Sequence, residues 1–367
     1  MVKKGLSSFE IRFLVGELDS LKNARVDKVY KTERKGLLLQ LHRPGIGKAL
    51  LLISAPGFMY ITSSKGETPE KPSGFCMLLR KHLSNSRIEG ISQIGSERIV
   101  RILFRGKEQR SLIVELFSKG NILLCDEDDK ILGAAEQISW SEREVRTGYI
   151  YKTPAARPDP FGMGIGEIHN VLEGSDSSEL VKALAISFGL GGVYAEELCA
   201  RAGVDKKKFP KELSRAEVKR LFTAISGLRR EKPKPNAVIK AGKTIDIVPV
   251  ELKYYGDCEK KAFKTYSEAL DSALEKEAAT LENPEIARIK KMIAKQEEYI
   301  ASLAEAEAEN RRKGELIYEK YIMLKEILEE AKEARKNHAL KDIRKRLKQG
   351  IVVRSVDEAN AKISIEL

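Results

Sequence analysis

The chain has 367 residues, 42% hydrophobic and 33% charged, which is enough for two or three units of about 100 to 200 residues and excludes a small stapled scaffold. A formal net charge of +12 makes phosphate-rich partners such as RNA, DNA or an anionic surface the expected class. Four widely spaced cysteines with no CxxC pair indicate neither a zinc site nor a disulfide framework, so buried free thiols are expected, and no run reaches the roughly 18 apolar residues of a membrane span.

The first residues, Met1 to Ser8, are not followed by the apolar run of a secretory signal, so a cytoplasmic address is expected, with no membrane contact. Ser7-Ser8-Phe9-Glu10 is a Ser-x-x-Glu capping box opening a helix with Leu14, Leu18 and Leu21 on its apolar face. Apolar runs at 36–41, 49–54 and 57–62, separated by Pro-Gly turns, predict an antiparallel meander. A short amphipathic helix follows at 75–83. Runs at 87–94 and 97–104, joined by Gly95-Ser96, suit a type II′ hairpin. Further strands are expected at 111–117, 121–125 and 131–137, making the first 150 residues an α+β unit built on antiparallel sheet.

Pro154, Pro158 and Pro160, with Gly162, Gly164 and Gly166, mark a boundary after which helices dominate. Segments 178–188 and 193–202 flank the tight turn Gly189-Leu190-Gly191-Gly192 as a helix-hairpin-helix unit, and a third helix starts near Ser214. After the basic linker 229–235, residues 237–252 alternate around Ala241-Gly242-Lys243 and predict a hairpin returning to the first sheet. From about Tyr266 to Asn337 an a/d pattern (Ile286, Ile289, Ile293, Ile300, Leu303, Ile317, Tyr321, Leu324, Leu328) predicts a coiled-coil arm, interrupted at Gln296, Glu307, Asn310 and Gly314, with a restart at Pro284. No second arm follows in the sequence, so its partner is expected beyond this chain or in a second copy, as a homodimer.

The turn at Gly189, Gly191 and Gly192 is the clearest nucleic-acid signal, because glycines let backbone amides approach a phosphate. A helical hairpin whose glycines only permit the turn explains the same residues equally well. Lys206, Lys207 and Lys208 add positive charge nearby in sequence, favouring phosphate contact. Arg80, Lys81, Arg98 and Arg146 are candidates for one basic surface, although isolated Arg and Lys are ordinarily solvated. Glu10 is accounted for by its capping box, and Glu97 by pairing with a neighbouring base. No P-loop, HExxH, GxSxG or Cys/His arrangement is present, and His42, His82, His169 and His338 are scattered, so no catalytic residue, metal or cofactor is expected.

The order SSFEI, FCMLLRKHL, SQIGSERIVRI, LIVELFSKGNILL (with Glu115, Gly120 and Asn121) and VRTGYIYKTP, then TYSEALDSALEKEA and GELIYEKYIMLKEILEEAKEARKN, resembles the NEMF/fibronectin-binding-protein-A-like (NFACT) family, archaeal branch, over nearly the whole chain. The resemblance implies a β-rich domain of formamidopyrimidine-DNA-glycosylase type at 1–175, a helix-hairpin-helix domain at 176–230, returning strands at 231–270, a coiled-coil arm at 271–340 and the start of a middle domain at 341–367. It implies a ribosome-associated quality-control factor that binds the large-subunit rRNA with peptidyl-tRNA and positions tRNA, in archaeal and bacterial relatives alanyl-tRNA, for tailing of stalled chains. Peptidyl transfer is left to the ribosome, and a ubiquitin ligase or other quality-control factor is implied at the coiled coil. Glu10 and the pair Glu97-Arg98 fall where the family commonly has Asp and Asp-Arg, positions associated with tailing. Two rival classes follow from the same likeness. A DNA glycosylase of this fold uses a Pro-Glu pair after Met1, where this chain has Val2-Lys3, and a fibronectin-binding adhesin would call for a secretory signal.

Overall fold

The first helix, α1 (Ser8–Leu18), starts where expected because its capping box is closed: the Glu10 amide donates to Ser7 Oγ at 3.2 Å and the Ser7 amide donates back to Glu10 Oε2 at 2.7 Å. Leu21 is buried one step later, in a short 3-10 turn. The computed structural model describes residues 3–32, 36–66, 69, 71–139, 143–280, 284–337, 353–357 and 362–365. It forms two compact units, Met1–Thr280 and Leu281–Leu367.

In the first unit, β1 (Arg25–Thr32), β2 (Gly36–Arg43), β3 (Gly47–Ser54) and β4 (Phe58–Thr62) form one antiparallel meander. After α2 (Gly74–Leu83), a second meander runs through β5 (Arg87–Gln93), β6 (Ile99–Arg105), β7 (Gln109–Glu115), β8 (Asn121–Cys125) and β9 (Ile131–Ala134). They join as one nine-stranded sheet in the order β4-β3-β2-β1-β5-β6-β7-β8-β9. The period-2 alternation of β6 to β8 sorts their side chains: Val100, Ile102, Leu112, Val114, Ile122 and Leu124 enter the main core. Ile99, Ile113, Leu123 and Cys125 enter a smaller core that also holds Tyr151. The link between β5 and β6 is longer than the two residues expected. Gly95 has φ of +56° and the Glu97 amide donates to the Ile94 carbonyl at 3.1 Å, the features of a type II′ turn, but pairing resumes only at Ile99.

A two-strand ribbon, β10 (Ile138–Ser139) and β11 (Glu144–Val145), precedes the helical section. There α3 (Ile165–Glu173), α4 (Leu180–Ser187), α5 (Gly192–Ala202) and α6 (Arg215–Arg230) surround a second core containing Ile168, Leu184, Leu198, Leu221 and Ile225. The expected hairpin appears as β12 (Asn236–Lys240) and β13 (Lys243–Val248), but it does not return to the first sheet. It forms its own three-stranded sheet with β14 (Glu259–Ala262), in the order β13-β12-β14. Its alternation bridges the cores: Ile247 joins the main one, and Val238 and Val248 join the helical one.

The helix from Tyr266 is not arm at its start. Within α7 (Tyr266–Thr280), Tyr266, Ala269, Leu270 and Ala273 are buried in the main core. Glu17 caps it by accepting the Tyr266 amide at 2.7 Å and the Ser267 amide at 3.1 Å, and Asp271 accepts the Thr62 hydroxyl at 2.6 Å. Cys76, Cys125 and Cys199 are buried, as expected of free thiols, while Cys258 is partly exposed; burial pushes Cys125 and Cys199 up to about 12.

The second unit contains α8 (Pro284–Glu319), about 54 Å long at 1.5 Å per residue, α9 (Tyr321–Asn337) and an antiparallel pair, β15 (Val353–Asp357) and β16 (Lys362–Ile365). Pro284 stands at the first position of α8, where a missing amide costs nothing. Ile289, Ile293, Ile300, Leu303, Ile317, Tyr321 and Leu328 of the predicted seam are exposed. Residues 338–352, the end of the expected arm and the first part of the expected middle domain, lie outside the described residues.

Candidate nucleic-acid interface

Helix α1 lies between the two large cores, with Ile11, Leu14 and Leu18 in one and Phe9 in the other. Glu10 is therefore carried into the interior, 2% exposed, and its carboxylate is fully engaged. Besides the Ser7 amide it accepts Lys3 Nζ at 2.6 Å and the Tyr194 hydroxyl at 2.9 Å. Lys3 also donates to Asp246 Oδ1 at 2.6 Å, and Asp246 accepts the Tyr255 hydroxyl at 2.8 Å. Burial alone would lower the Lys3 pKa, but the Glu10 and Asp246 carboxylates outweigh it and raise the value. Burial and then the Glu10 charge push the Tyr194 and Tyr266 phenols up, so both stay protonated. Glu10 is a buried joint linking α1, β13 and α5. The sequence showed only its capping role, because Lys3, Tyr194 and Asp246 are brought to it by tertiary packing.

The β5-β6 link is held against α1 by Gln93, whose Nε2 donates to the carbonyls of Ser8 and Glu97, each at 2.9 Å. Glu97 Oε1 accepts the Arg157 amide at 2.9 Å. It thus pairs with a backbone donor from the proline-rich segment and not with the neighbouring base expected. Arg98 is half-buried, and burial first, then the Arg157 charge, lower its pKa, with Glu97 opposing. Among the described residues, neither guanidinium hydrogen-bonds to a carboxylate.

Arg157 connects this hairpin to the glycine turn. A Cβ placed on Gly189 would lie 2.9 Å from Arg157 Nη1 and 3.2 Å from its Cδ, and Gly189 has φ of +64°. Gly191, at φ +79°, is the residue before α5, no side chain caps the first amides of that helix, and Gly191 and Gly192 are both exposed. Behind the turn, Tyr194 and Phe161 both pack on Phe9, with ring centroids 4.7 and 5.2 Å away. Arg12 binds Asp159 at 2.7 Å beside them. Thus Glu97, Arg98, Gly189, Gly191 and Gly192 converge. Arg157, which sequence reasoning passed over as part of a boundary, is the residue joining them.

The other candidates lie elsewhere. Lys206 and Lys208 sit at the opposite end of the α4-α5 hairpin, where the Leu180 and Val181 amides that start α4 donate to the Lys208 and Lys206 carbonyls at 2.8 and 3.0 Å. Their charges are engaged: Lys206 with Glu196 at 2.7 Å, Lys208 with both Glu217 oxygens at 2.9 Å. The Lys208 ammonium and then the Ser214 cap hold the Glu217 carboxyl down at about 2. Lys207 is exposed. The expected reinforcement of the glycine turn by these lysines is therefore corrected: eleven residues of α5 separate the two ends. On α2, Arg80 Nε donates to the Val29 carbonyl at 2.8 Å, Lys81 is exposed, and Arg146 is exposed beyond β11. Arg80 and Lys81 on α2 and Arg146 after β11 thus belong to elements other than the β5-β6 link that carries Arg98. Glu115 is buried and bound to Arg143 and to the Tyr151 hydroxyl, and Asn121 Nδ2 donates to the Glu136 carbonyl at 2.8 Å, so these two residues of the family pattern serve the fold.

The fold is shared with solved structures of proteins named for fibronectin or fibrinogen binding. The N-terminal part of the fibronectin/fibrinogen-binding protein from Streptococcus suis superposes with a TM-score of 0.60 at 23% identity, covering 74% of this chain and 100% of that one. Residues 7–354 match the model of the NFACT N-terminal and middle domains, and the chain belongs to the NFACT family. It is 32% identical to the archaeal Rqc2 homolog aRqcH of Methanocaldococcus jannaschii over 91% of this chain and 53% of that protein. It is 24% identical to human ribosome quality control complex subunit NEMF over 86% of this chain and 33% of that protein. The chain thus spans about half the length of the archaeal relative and a third of the human one. No helix among the described residues is long and apolar enough to cross a membrane.

Proposed function

We propose that this chain is the tRNA-gripping part of a ribosome-associated quality-control factor, one that binds the large subunit carrying peptidyl-tRNA and positions tRNA, alanyl-tRNA by family likeness, for tailing of a stalled chain. The observation that carries the reading is Arg157 placed against Gly189 of the glycine turn, with its amide on Glu97, the residue before Arg98. Two guanidiniums without carboxylate hydrogen bonds and an uncapped helix start form an anion-accepting corner. Relatives named for ribosome quality control supply the biological setting. The α4-turn-α5 unit acts in this reading as a helix-hairpin-helix contact to phosphates, and the ribosome performs peptidyl transfer. The exposed stripe on α8 and α9 serves as one arm of a coiled coil, offered to a second helix or to a further quality-control protein.

Glu10 acts in tailing only indirectly, by fixing Tyr194 at the base of α5 and thereby the turn. Lys3, at the N-terminal end where a glycosylase would carry its nucleophile, is bound between two carboxylates and held protonated, which disfavours an amine-nucleophile reading. Filter binding of deacylated and alanyl-tRNA to the wild type and to Arg98→Glu at fixed ionic strength tests the proposal. Affinity is expected to fall at least tenfold with unchanged folding; equal affinity overturns it.

A further inference from the structure

Away from the glycine turn, a cleft of about 590 Å³ opens between the C-terminal ends of α5 and α6 and the three-stranded sheet. Lys232, Lys234, Lys253 and Lys260 line it, and its carboxylates are Glu231 and Glu251. Arg201, at its floor, spends its charge on structure: it pairs with Glu231 and with fully buried Glu197 and donates to the Glu251 carbonyl at 3.2 Å. Glu197 in turn accepts the Tyr254 amide at 2.8 Å, which fixes the Lys253–Tyr255 turn against α5. Lys234 meets Glu251 at only 3.8 Å, with both side chains well exposed, a weak pairing. Lys232, Lys253 and Lys260 are exposed and have no ion pair among the described residues.

The wall geometry suits an extended polyanion. Lys232-Pro233-Lys234-Pro235 is held extended by its prolines, and its two lysines, two residues apart, both reach the cleft. Lys260 projects from the edge strand β14 on the facing side. Flexible ammonium groups recognise phosphates as point charges and without sequence preference. Tyr254 follows Lys253 in the chain and does not itself line the cleft; its ring is 44% exposed with Tyr255 edge-on at 4.8 Å, a stacking face for a base that leaves the cleft.

We propose that this cleft is a second RNA-binding surface, taking the phosphate backbone of a single-stranded RNA segment with one base laid on Tyr254. It uses none of the residues of the Arg98-Arg157 corner and stands whether or not that corner binds tRNA. The test is fluorescence anisotropy of a labelled oligouridine with the whole chain over a series of salt concentrations. The triple variant Lys232→Glu/Lys253→Glu/Lys260→Glu is expected to bind at least about tenfold more weakly and to lose about 2 from the slope of log K against log salt. Lys232→Gln/Lys253→Gln/Lys260→Gln should show a smaller loss in the same direction, guarding against misfolding by charge reversal. Tyr254→Ala is expected to cost roughly tenfold with the salt slope unchanged. Oligouridine binding that ignores all three variants, that is abolished by Arg98→Glu instead, or that is absent from the wild type overturns the proposal. Lysine-dependent binding to phosphatidylserine vesicles with no effect on RNA also overturns it, because the surface would then be a membrane contact.

Discussion

The two ends of the α4-α5 hairpin carry comparable positive charge in the sequence and opposite electrostatic situations in the fold. At one end Arg157 sits against Gly189 with its amide on Glu97, its charge acts on half-buried Arg98, and neither guanidinium is hydrogen-bonded to a carboxylate among the described residues. At the other, Lys206 and Lys208 are exposed or partly exposed and matched to Glu196 and Glu217. In the proposed function, what sets the arginine end apart from the solvated lysine end is availability, not the number of basic residues. A cation already paired must break that pair to hold a phosphate, and exposed pairs gain little either way.

The largest effect expected concerns the joint behind the glycine turn. Glu10→Ala leaves buried Lys3 with Asp246 alone and removes the Tyr194 acceptor, and is expected to cost about 3–5 kcal/mol in urea unfolding; a loss below about 1 kcal/mol would show that the joint does not organise the turn. Next, Arg98→Glu should weaken tRNA binding ten- to a hundredfold, the loss of a charge-assisted contact of about 1.5–3 kcal/mol, with the thermal midpoint unmoved. Gly189→Ala forces a side chain into positive φ and against Arg157, so a destabilisation of about 1–3 kcal/mol and weaker tRNA binding are expected together. Calorimetry and binding measured on the same sample would separate strain from contact loss. Smallest is Lys206→Glu/Lys208→Glu, for which tRNA affinity should change less than about threefold.

The lysine end also has a pH signature. Glu217 has its folded pKa depressed to about 2 against an ordinary value of 4.5. Its contribution to the α6 start is therefore present above the ordinary value and is lost as pH falls from there through about 2. Lys208→Ala removes the first cause of that depression, so the Glu217 carboxyl, followed by NMR, is expected to titrate higher than in the wild type. An unmoved titration would mean that the Ser214 cap alone sets it.

Much of this fold is written in local pattern. The Ser7 and Ser214 capping boxes, the Pro-Gly turns of the first meander and the Gly191-Gly192 start of α5 are local signals, and the elements begin where those signals stand. Where pattern failed, charge or glycine masked it. Strand β1 carries Arg25, Asp27, Lys28 and Lys31 around buried Val26 and Val29, and a register shift between Val26 and Lys28 breaks the alternation, so two valines three residues apart both reach the main core. Strand β14, Glu259–Ala262, is exposed throughout and pairs only by backbone. Helix α3 begins among glycines that read as a linker, with Gly164 as its N-terminal cap residue. The candidate corner was half legible: Arg98 and the glycines stood out, whereas Arg157, between Ala156 and Pro158, carries no local mark. Its importance comes from contacts with Glu97 and Gly189, 60 residues before it and 32 after it in the chain.

The contrast between the two hairpin ends is tested most directly by tRNA affinity over a salt series for the wild type, Arg98→Glu/Arg157→Glu and Lys206→Glu/Lys208→Glu. The arginine variant is expected to lose at least a hundredfold in affinity and to show a shallower salt dependence, while the lysine variant follows the wild-type line. Equal losses at the two ends, or a loss confined to the lysine variant, would contradict the account.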